Sequence, residues 1–283
     1  MKNLQIKLSN LQTKEPIKFY EVINNTSKKD VFTTCLQISN KETCLSISKY
    51  AETEETADLF SEKLLTLKPD EDTCIDLIEL SEFNKIADKF ANLLLKNNPD
   101  EDICLHLSKY AKTDEIANKF ADLLLDMKLN QDVCLDLSVN GKSIYIAQQF
   151  SNFILDNYLD RSNCVSLAIN AKTSEIAYTF ANLLLDMEPS KHILIDLIKY
   201  AKTEQIARIF SELLLETNPS QEVCLNLSYN GKWDNINKIY AEILLSNNPS
   251  EFICEVLNRG EVSLQNNSNF LSENENLDIS EFL

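Results

Sequence analysis

Cysteine and histidine are the side chains of this sequence with the widest chemical reach. A thiolate can attack or bind metal, and an imidazole can act as base or ligand near neutral pH. There are eight cysteines and two histidines. Cys44, Cys74, Cys104, Cys134, Cys164, Cys224 and Cys254 recur at intervals of 30 residues, or 60 where Leu194 takes the expected place, and Cys35 alone falls outside the series. Ligands of a tetrahedral metal site converge within about 2.3 Å of one ion, and bridged cysteines keep their Cα atoms under about 7 Å apart. Residues one helix layer apart, about 10 Å, meet neither condition. The series therefore reads as a small buried residue at a helix contact, a place that Leu194 can also fill. His106 and His192 occupy different positions of the period. Cys104 lies two residues from His106, and side chains two apart on a helix do not face each other. The expectation is a protein that is not an enzyme and needs no cofactor or metal.

The elements that carry these residues follow from the same period. Set out in blocks of 30 from Lys41, the chain aligns as seven repeats without a gap. One column reads Phe60, Phe90, Phe120, Phe150, Phe180, Phe210 and Tyr240. Another reads Ala57, Ala87, Ala117, Ala147, Ala177 and Ala207 before yielding to Asn237. Within one repeat Ile116, Ala117, Phe120, Ala121, Leu123 and Leu124 give a broad apolar stripe at helical spacing, predicting a second helix of about 14 residues. Cys104, Leu107, Ser108 and Ala111 fall at i, i+3, i+4 and i+7 and predict a shorter first helix of about 10.

Helix ends are marked locally. Asp70, Asp100, Asn130, Asp160, Ser190, Ser220 and Ser250 precede the first helices and can accept from their free N–H groups. Pro69, Pro99, Pro189, Pro219 and Pro249 stand one residue earlier, where they stop the preceding helix. Thr53, Thr113, Ser143, Thr173 and Thr203 precede the second helices. Where Phe83 and Trp233 interrupt that column, Asn84 and Asp234 are expected to cap instead.

A single hairpin of this size buries about six apolar side chains, too few to offset the ordering of 30 residues. Neighbours must share their faces, which predicts a stacked array. Residues 41–250 form the repeats. Residues 1–40 are expected to supply an N-terminal cap with helices near 16–24 and 30–40. Residues 251–283 are expected to give a last capping helix over 251–259 and an acidic tail, whose final stretch, 277–283, has the apolar and acidic spacing of a docking motif or of a frayed end.

Paired helices with Ala and Leu on their shared faces over about residues 41–258 resemble the α-solenoids that include the tetratricopeptide and HEAT repeats. That resemblance implies an all-α fold, a right-handed α/α solenoid of about seven two-helix repeats with terminal caps, and binding of protein or peptide along a groove. The period of 30 is shorter than the roughly 34 and 40 of those families, and the Trp-Leu-Gly-Tyr pattern of the former is missing.

The formal charge of −17 opposes the counterion release that drives binding to phosphate backbones, which argues against nucleic acid. It steers the chain toward basic partners. Only three glycines occur, leaving no Gly-rich phosphate loop. No apolar run approaches the roughly 18 residues of a membrane span, and the start lacks the apolar core of a secretory signal. The expected location is the cytoplasm and no membrane partner is expected.

A recognition surface should show positions that stay polar in type but change identity between repeats. On the first helix, one such column is Ser46, Asp76, His106, Asp136, Ser166, Asp196 and Asn226. The other, one turn on, is Tyr50, Leu80, Tyr110, Asn140, Asn170, Tyr200 and Asn230. First helices pack through Cys, Ser and Ala and second helices through Phe, Ile and Leu, so the first layer is expected to be the shorter, concave one. Its two columns would line a groove for an extended peptide; the competing reading is a solvated face. The second helices carry an acidic and amide ridge, Glu62, Asn92, Asp122, Asn152, Asn182, Glu212 and Glu242. A scaffold or adaptor is the function expected. The alternative is an acidic inhibitor, an immunity protein or nucleic-acid mimic, that covers a basic enzyme.

Overall fold

A computed structural model describes residues 2–25 and 29–247. Among these the protein is all-α, with 17 helices and no strand. The expected helix at 251–259, the tail and the 277–283 motif lie outside the described residues.

The chain divides into two compact units, residues 1–154 and 155–283. The first unit opens with α1 (Lys2–Lys14), α2 (Pro16–Asn25) and α3 (Lys29–Ile38). Helical hairpins follow in series: α4 (Lys41–Tyr50) with α5 (Glu54–Thr66), α6 (Glu71–Leu80) with α7 (Asn84–Lys96), α8 (Glu101–Tyr110) with α9 (Asp114–Leu125), and then α10 (Gln131–Asn140) and α11 (Ile144–Asn157), which runs through the boundary. The second unit holds α12 (Arg161–Asn170) with α13 (Ser174–Asp186), α14 (Lys191–Tyr200) with α15 (Glu204–Glu216), and α16 (Gln221–Asn230) with α17 (Asp234–Ser246). Each first helix from α4 onward has ten residues, and their starts step by 30. Helix α1 is not anticipated by the sequence analysis. Its Leu4, Ile6 and Leu8 alternate like a strand, while Leu4, Leu8 and Leu11 keep helical spacing, so the pattern supports both.

The core lies where the periodic columns meet. Phe60, Phe90, Phe120, Phe150, Phe180, Phe210 and Tyr240 are wholly buried, as are the Ala column from Ala57 to Ala207 and the first-helix Cys104, Leu107, Ser108 and Ala111. Two buried serines return their hydroxyls to the turn before, Ser108 Oγ to the Cys104 carbonyl at 2.7 Å and Ser138 Oγ to that of Cys134 at 2.8 Å, which satisfies their donors inside the core.

Most helix starts are capped as expected. Asp70, Asp100, Asn130, Asp160 and Ser220 accept from the third residue of their helices, as does Asn40 for α4. Ser190 occupies the cap position without a side-chain bond. Thr53, Thr113, Thr173, Thr203 and Ser143 cap the second helices. Asn84 and Asp234 do not cap in place of Phe83 and Trp233: they are the first helical residues, and Phe83 and Trp233 hold the cap position with no side-chain hydrogen bond. The extended backbone required there is available to an aromatic residue.

The second helices end without glycine. Lys68, Asn98, Glu188 and Asn218 adopt left-handed φ of 50–53°, each just before a proline. Their N–H groups reach back three residues, Lys68 to Leu65 at 3.2 Å and Glu188 to Leu185 at 3.3 Å. This is one of the two hydrogen bonds of a left-handed cap; the following proline has no N–H to give the other. Lys128 and Tyr158, followed by leucine instead of proline, are not left-handed.

A left-handed non-glycine residue costs about 1–2 kcal/mol, and glycine costs about 0.5–1 kcal/mol in unfolded-chain entropy. Glu188→Gly should therefore raise stability by about 0.5–1 kcal/mol in urea unfolding, and Lys128→Gly should not. A gain at Lys128 as large as that at Glu188 would contradict the backbone account.

Gly231 and Asn237 form a local exchange of volumes. Asn237 stands where six other repeats have alanine, and its Nδ2 donates to the Gly231 carbonyl at 2.8 Å. A Cβ on residue 231 would lie 2.0 Å from Asn237 Oδ1. Gly231→Ala should cost about 1–2 kcal/mol by breaking that bond around a half-buried amide. Gly231→Ala with Asn237→Ala, the pairing of the neighbouring repeats, should recover most of the loss, a coupling that a double-mutant cycle measures directly.

Candidate functional site

The two first-helix columns take different places. Tyr50, Leu80, Tyr110, Asn140, Asn170, Tyr200 and Asn230 are each the last residue of a first helix, and each is exposed. Tyr50, Tyr110 and Tyr200 are 61%, 57% and 53% exposed, high values for rings of this size. Two of the rings lie beneath cations: Lys109 Nζ is 5.8 Å from the Tyr110 ring and Lys199 Nζ is 6.0 Å from that of Tyr200. The His106 ring lies 5.0 Å from that of Tyr110.

The other column is less free. Ser46, Asp76, Asp136 and Ser166 are half-buried, and His106, Asp196 and Asn226 are exposed. Within the first unit it ties successive first helices together. Lys49 Nζ donates to Asp76 Oδ2 at 2.5 Å, His106 Nε2 and Glu79 Oε1 share a hydrogen bond of 2.5 Å, and Lys109 Nζ donates to Asp136 Oδ2 at 2.6 Å. All three pairs are 27 residues apart. At Glu79 and His106 the carboxylate stands in the earlier repeat instead of the later one, and an imidazole faces it. This complementarity between one repeat and the next is present in the sequence but invisible to columns compared only with themselves. Asn140 Nδ2 donates to Asp136 Oδ1 at 2.9 Å, and Asn230 Nδ2 donates to Asn226 Oδ1 at 3.3 Å, so the second column leans on the first.

The ridge on the second helices is exposed and partly engaged. Lys89 Nζ bonds Glu62 and Asp58, each at 2.5 Å, and Tyr145 Oη donates to Asp122 Oδ1 at 2.8 Å.

The periodic thiols are buried from Cys44 to Cys224, as is Cys35. Burial pushes Cys44 and Cys134 up to about 11 and Cys104 up to about 12. At neutral pH these sulfurs are protonated, the wrong state for attack or ligation. Their contacts are with turn carbonyls, such as Cys104 Sγ to Pro99 at 3.8 Å. Among the described residues no group of three His, Cys, Asp or Glu side chains is arranged to hold a metal ion. No helix among them is long and apolar enough to cross a membrane.

No protein-family model, no curated protein and no solved structure matches the chain. What the surface can do must be read from its own residues. It presents phenols, amides and ammonium groups along the exposed ends of helices whose backbones repeat. Such groups bind through hydrogen bonds, ring faces and charge.

Asp136 links this surface to pH. Burial raises its carboxyl, but hydrogen bonds from Asn140 and Lys109 outweigh that and hold it below its usual value of 3.8. A depressed carboxyl stabilises the fold above its unfolded pKa and loses that contribution as pH falls through the folded value. Asp136→Asn should destabilise by about 0.5–1 kcal/mol at pH 5, and the penalty should shrink toward zero as pH is lowered below 3. Urea midpoints of both proteins across that range provide the test; a penalty independent of pH would show that the ion pair carries none of it.

Proposed function

We propose that the protein is a non-enzymatic scaffold or adaptor, a right-handed α/α solenoid of about seven repeats whose first-helix layer binds protein or peptide. The observation that carries this reading is the column from Tyr50 to Asn230. Its members share one backbone position and are each exposed, yet differ in chemistry from Tyr to Leu to Asn, while the Phe and Ala columns keep one residue type through six of seven repeats. Varied side chains on an unvarying frame are what sequential recognition of a partner requires. Small Cys, Ser and Ala side chains between first helices let that layer pack closer than the Phe- and Leu-lined second layer, which favours the first layer as the concave side. On this reading the protein acts in the cytoplasm.

A second reading rests on the net charge of −17: an acidic inhibitor that covers a basic enzyme. Salt separates the two. Contacts made by rings and amides survive at about 0.5 M salt, where the Debye length falls to a few ångströms and long-range charge attraction is screened.

The test is affinity capture from source-cell lysate with two variants beside the wild type. Tyr110→Ala, Asn140→Ala and Tyr200→Ala together should abolish capture of the partner that the wild type retains at high salt. Asn182→Ala with Glu242→Ala on the opposite ridge should leave it unchanged. The same partner on the first variant would reject the surface, and loss of every partner at high salt would favour the inhibitor.

A further inference from the structure

Two residues beyond each exposed column residue lies the turn between the paired helices. In the second unit this turn carries Lys172, Lys202 and Lys232, following Asn170, Tyr200 and Asn230. A basic row in a chain of charge −17 asks for a cause. Helix stability is one candidate, because a cation favours the C-terminal end of a helix dipole. It does not suffice. Glu52 and Glu82 occupy the equivalent turn position in the first two repeats, and the Glu82 N–H makes the same cross-repeat bond, to the Lys49 carbonyl at 3.0 Å, that the Lys232 N–H makes to that of Lys199 at 3.3 Å. The turn folds with either sign of charge.

Nor are the ammonium groups consumed internally. Lys172 and Lys202 make no side-chain hydrogen bond or ion pair among the described residues. Lys232 Nζ lies 4.5 Å from the centre of the Trp233 ring and reaches the Ala201 carbonyl only at 3.4 Å. Nearby carboxylates do not quench the row: Glu204 accepts from Asn235 Nδ2 at 2.8 Å, while Asp196 and Asp234 are exposed without a lysine partner. Tyr200, under Lys199 at 6.0 Å, gives the row an exposed ring beside its charges.

Cross-repeat backbone bonds from Lys202 to Ala168 and from Lys232 to Lys199 keep neighbouring first helices in direct contact, so equivalent residues step by about 8–10 Å. A polyproline-II segment advances about 3.1 Å per residue and returns to the same face every third residue, about 9.3 Å on. The two spacings agree. We propose that the row Asn170 and Lys172, Tyr200 and Lys202, Asn230 and Lys232 binds an extended acidic peptide whose carboxylates fall on every third residue. The lysines pair with those carboxylates, and the amides and phenol of the other column bond the peptide backbone between them. Charge complementarity selects this occupant over a basic one. The net negative charge of the chain excludes a long, evenly charged polyanion, which would place most of its charge over acidic surface. The inference deepens the scaffold reading and rests on it.

The test uses the full-length protein and a labelled peptide with glutamate at every third position, separated by proline and alanine. Fluorescence anisotropy should show saturable binding. Lys202→Glu should weaken it about tenfold or more, and Lys238→Glu on the second-helix surface should leave it within about twofold. Amide shifts of Lys202 and Gly231 on titrating the wild type give a readout that does not depend on a variant folding. A peptide of the same composition with its glutamates contiguous should bind at least fivefold more weakly, the register effect expected of spaced sites. Equal binding of the two peptides, tighter binding of heparin than of either, or no shift at Lys202 and Gly231 would each overturn the inference. If the peptide fails while the Tyr110, Asn140 and Tyr200 variant still loses its captured partner, the acidic ligand falls and the scaffold stands.

Discussion

The backbone bond between one turn and the helix before it sets the terms for the rest of the structure. The last carbonyls of a helix have no partner inside it. Here the N–H of Glu82, Lys112, Lys142, Lys202 and Lys232 each meets a carbonyl near the end of the preceding first helix, Lys49, Ile78, Ser108, Ala168 and Lys199. A bond of about 3 Å between backbones demands that little stand between them. That is the physical reason for Cys, Ser and Ala on the first helices, and it explains why the cysteines read as a chemical signal and act as spacers. The same bond fixes which residue ends each helix and faces outward, so the exposed column and the lysine turn are consequences of how the repeats are joined.

How much of this can be read in the letters depends on whether the governing interaction is local. Caps at Asp100 and Thr113 and the stripe from Ile116 to Leu124 are set within one repeat, and the sequence analysis places them. Helix α1 escapes because Leu4, Ile6 and Leu8 fit two periods and no capping residue precedes it. Asn84 and Asp234 mislead for another reason. Capping preference is worth only about 1 kcal/mol, and the part-buried Phe83 and Trp233 hold the position without a side-chain cap.

The columns proposed for recognition divide along the same line. Asp76, His106 and Asp136 look variable because each answers a different residue one repeat earlier: Lys49, Glu79 and Lys109. Their variety records fit between neighbours in the first unit and is no evidence for an external ligand. Tyr50, Leu80, Tyr110, Asn140, Asn170, Tyr200 and Asn230 answer no residue one repeat earlier, although Asn140 and Asn230 bond Asp136 and Asn226 within their own helices. A column compared with its own members cannot make this distinction, whereas compared across 27 residues it can, because a carboxylate at Glu79 and its hydrogen-bond partner at His106 change places together.

Net charge and local charge then act at different distances. At physiological ionic strength the Debye length is about 8 Å, close to the step from one repeat to the next. A partner approaching from afar senses −17, which favours a basic body, but a peptide lying on the turns of the second unit senses the lysine within that length more than the acids beyond it. Exposed rings at Tyr200 and Tyr229 add contacts that salt does not screen. On the proposed reading, long-range repulsion of polyanions and local attraction of short, spaced carboxylates at one edge are compatible. The difference lies in ligand length: a segment spanning three turns keeps its charges on the row, and each further residue of a polyanion falls on surface of its own sign.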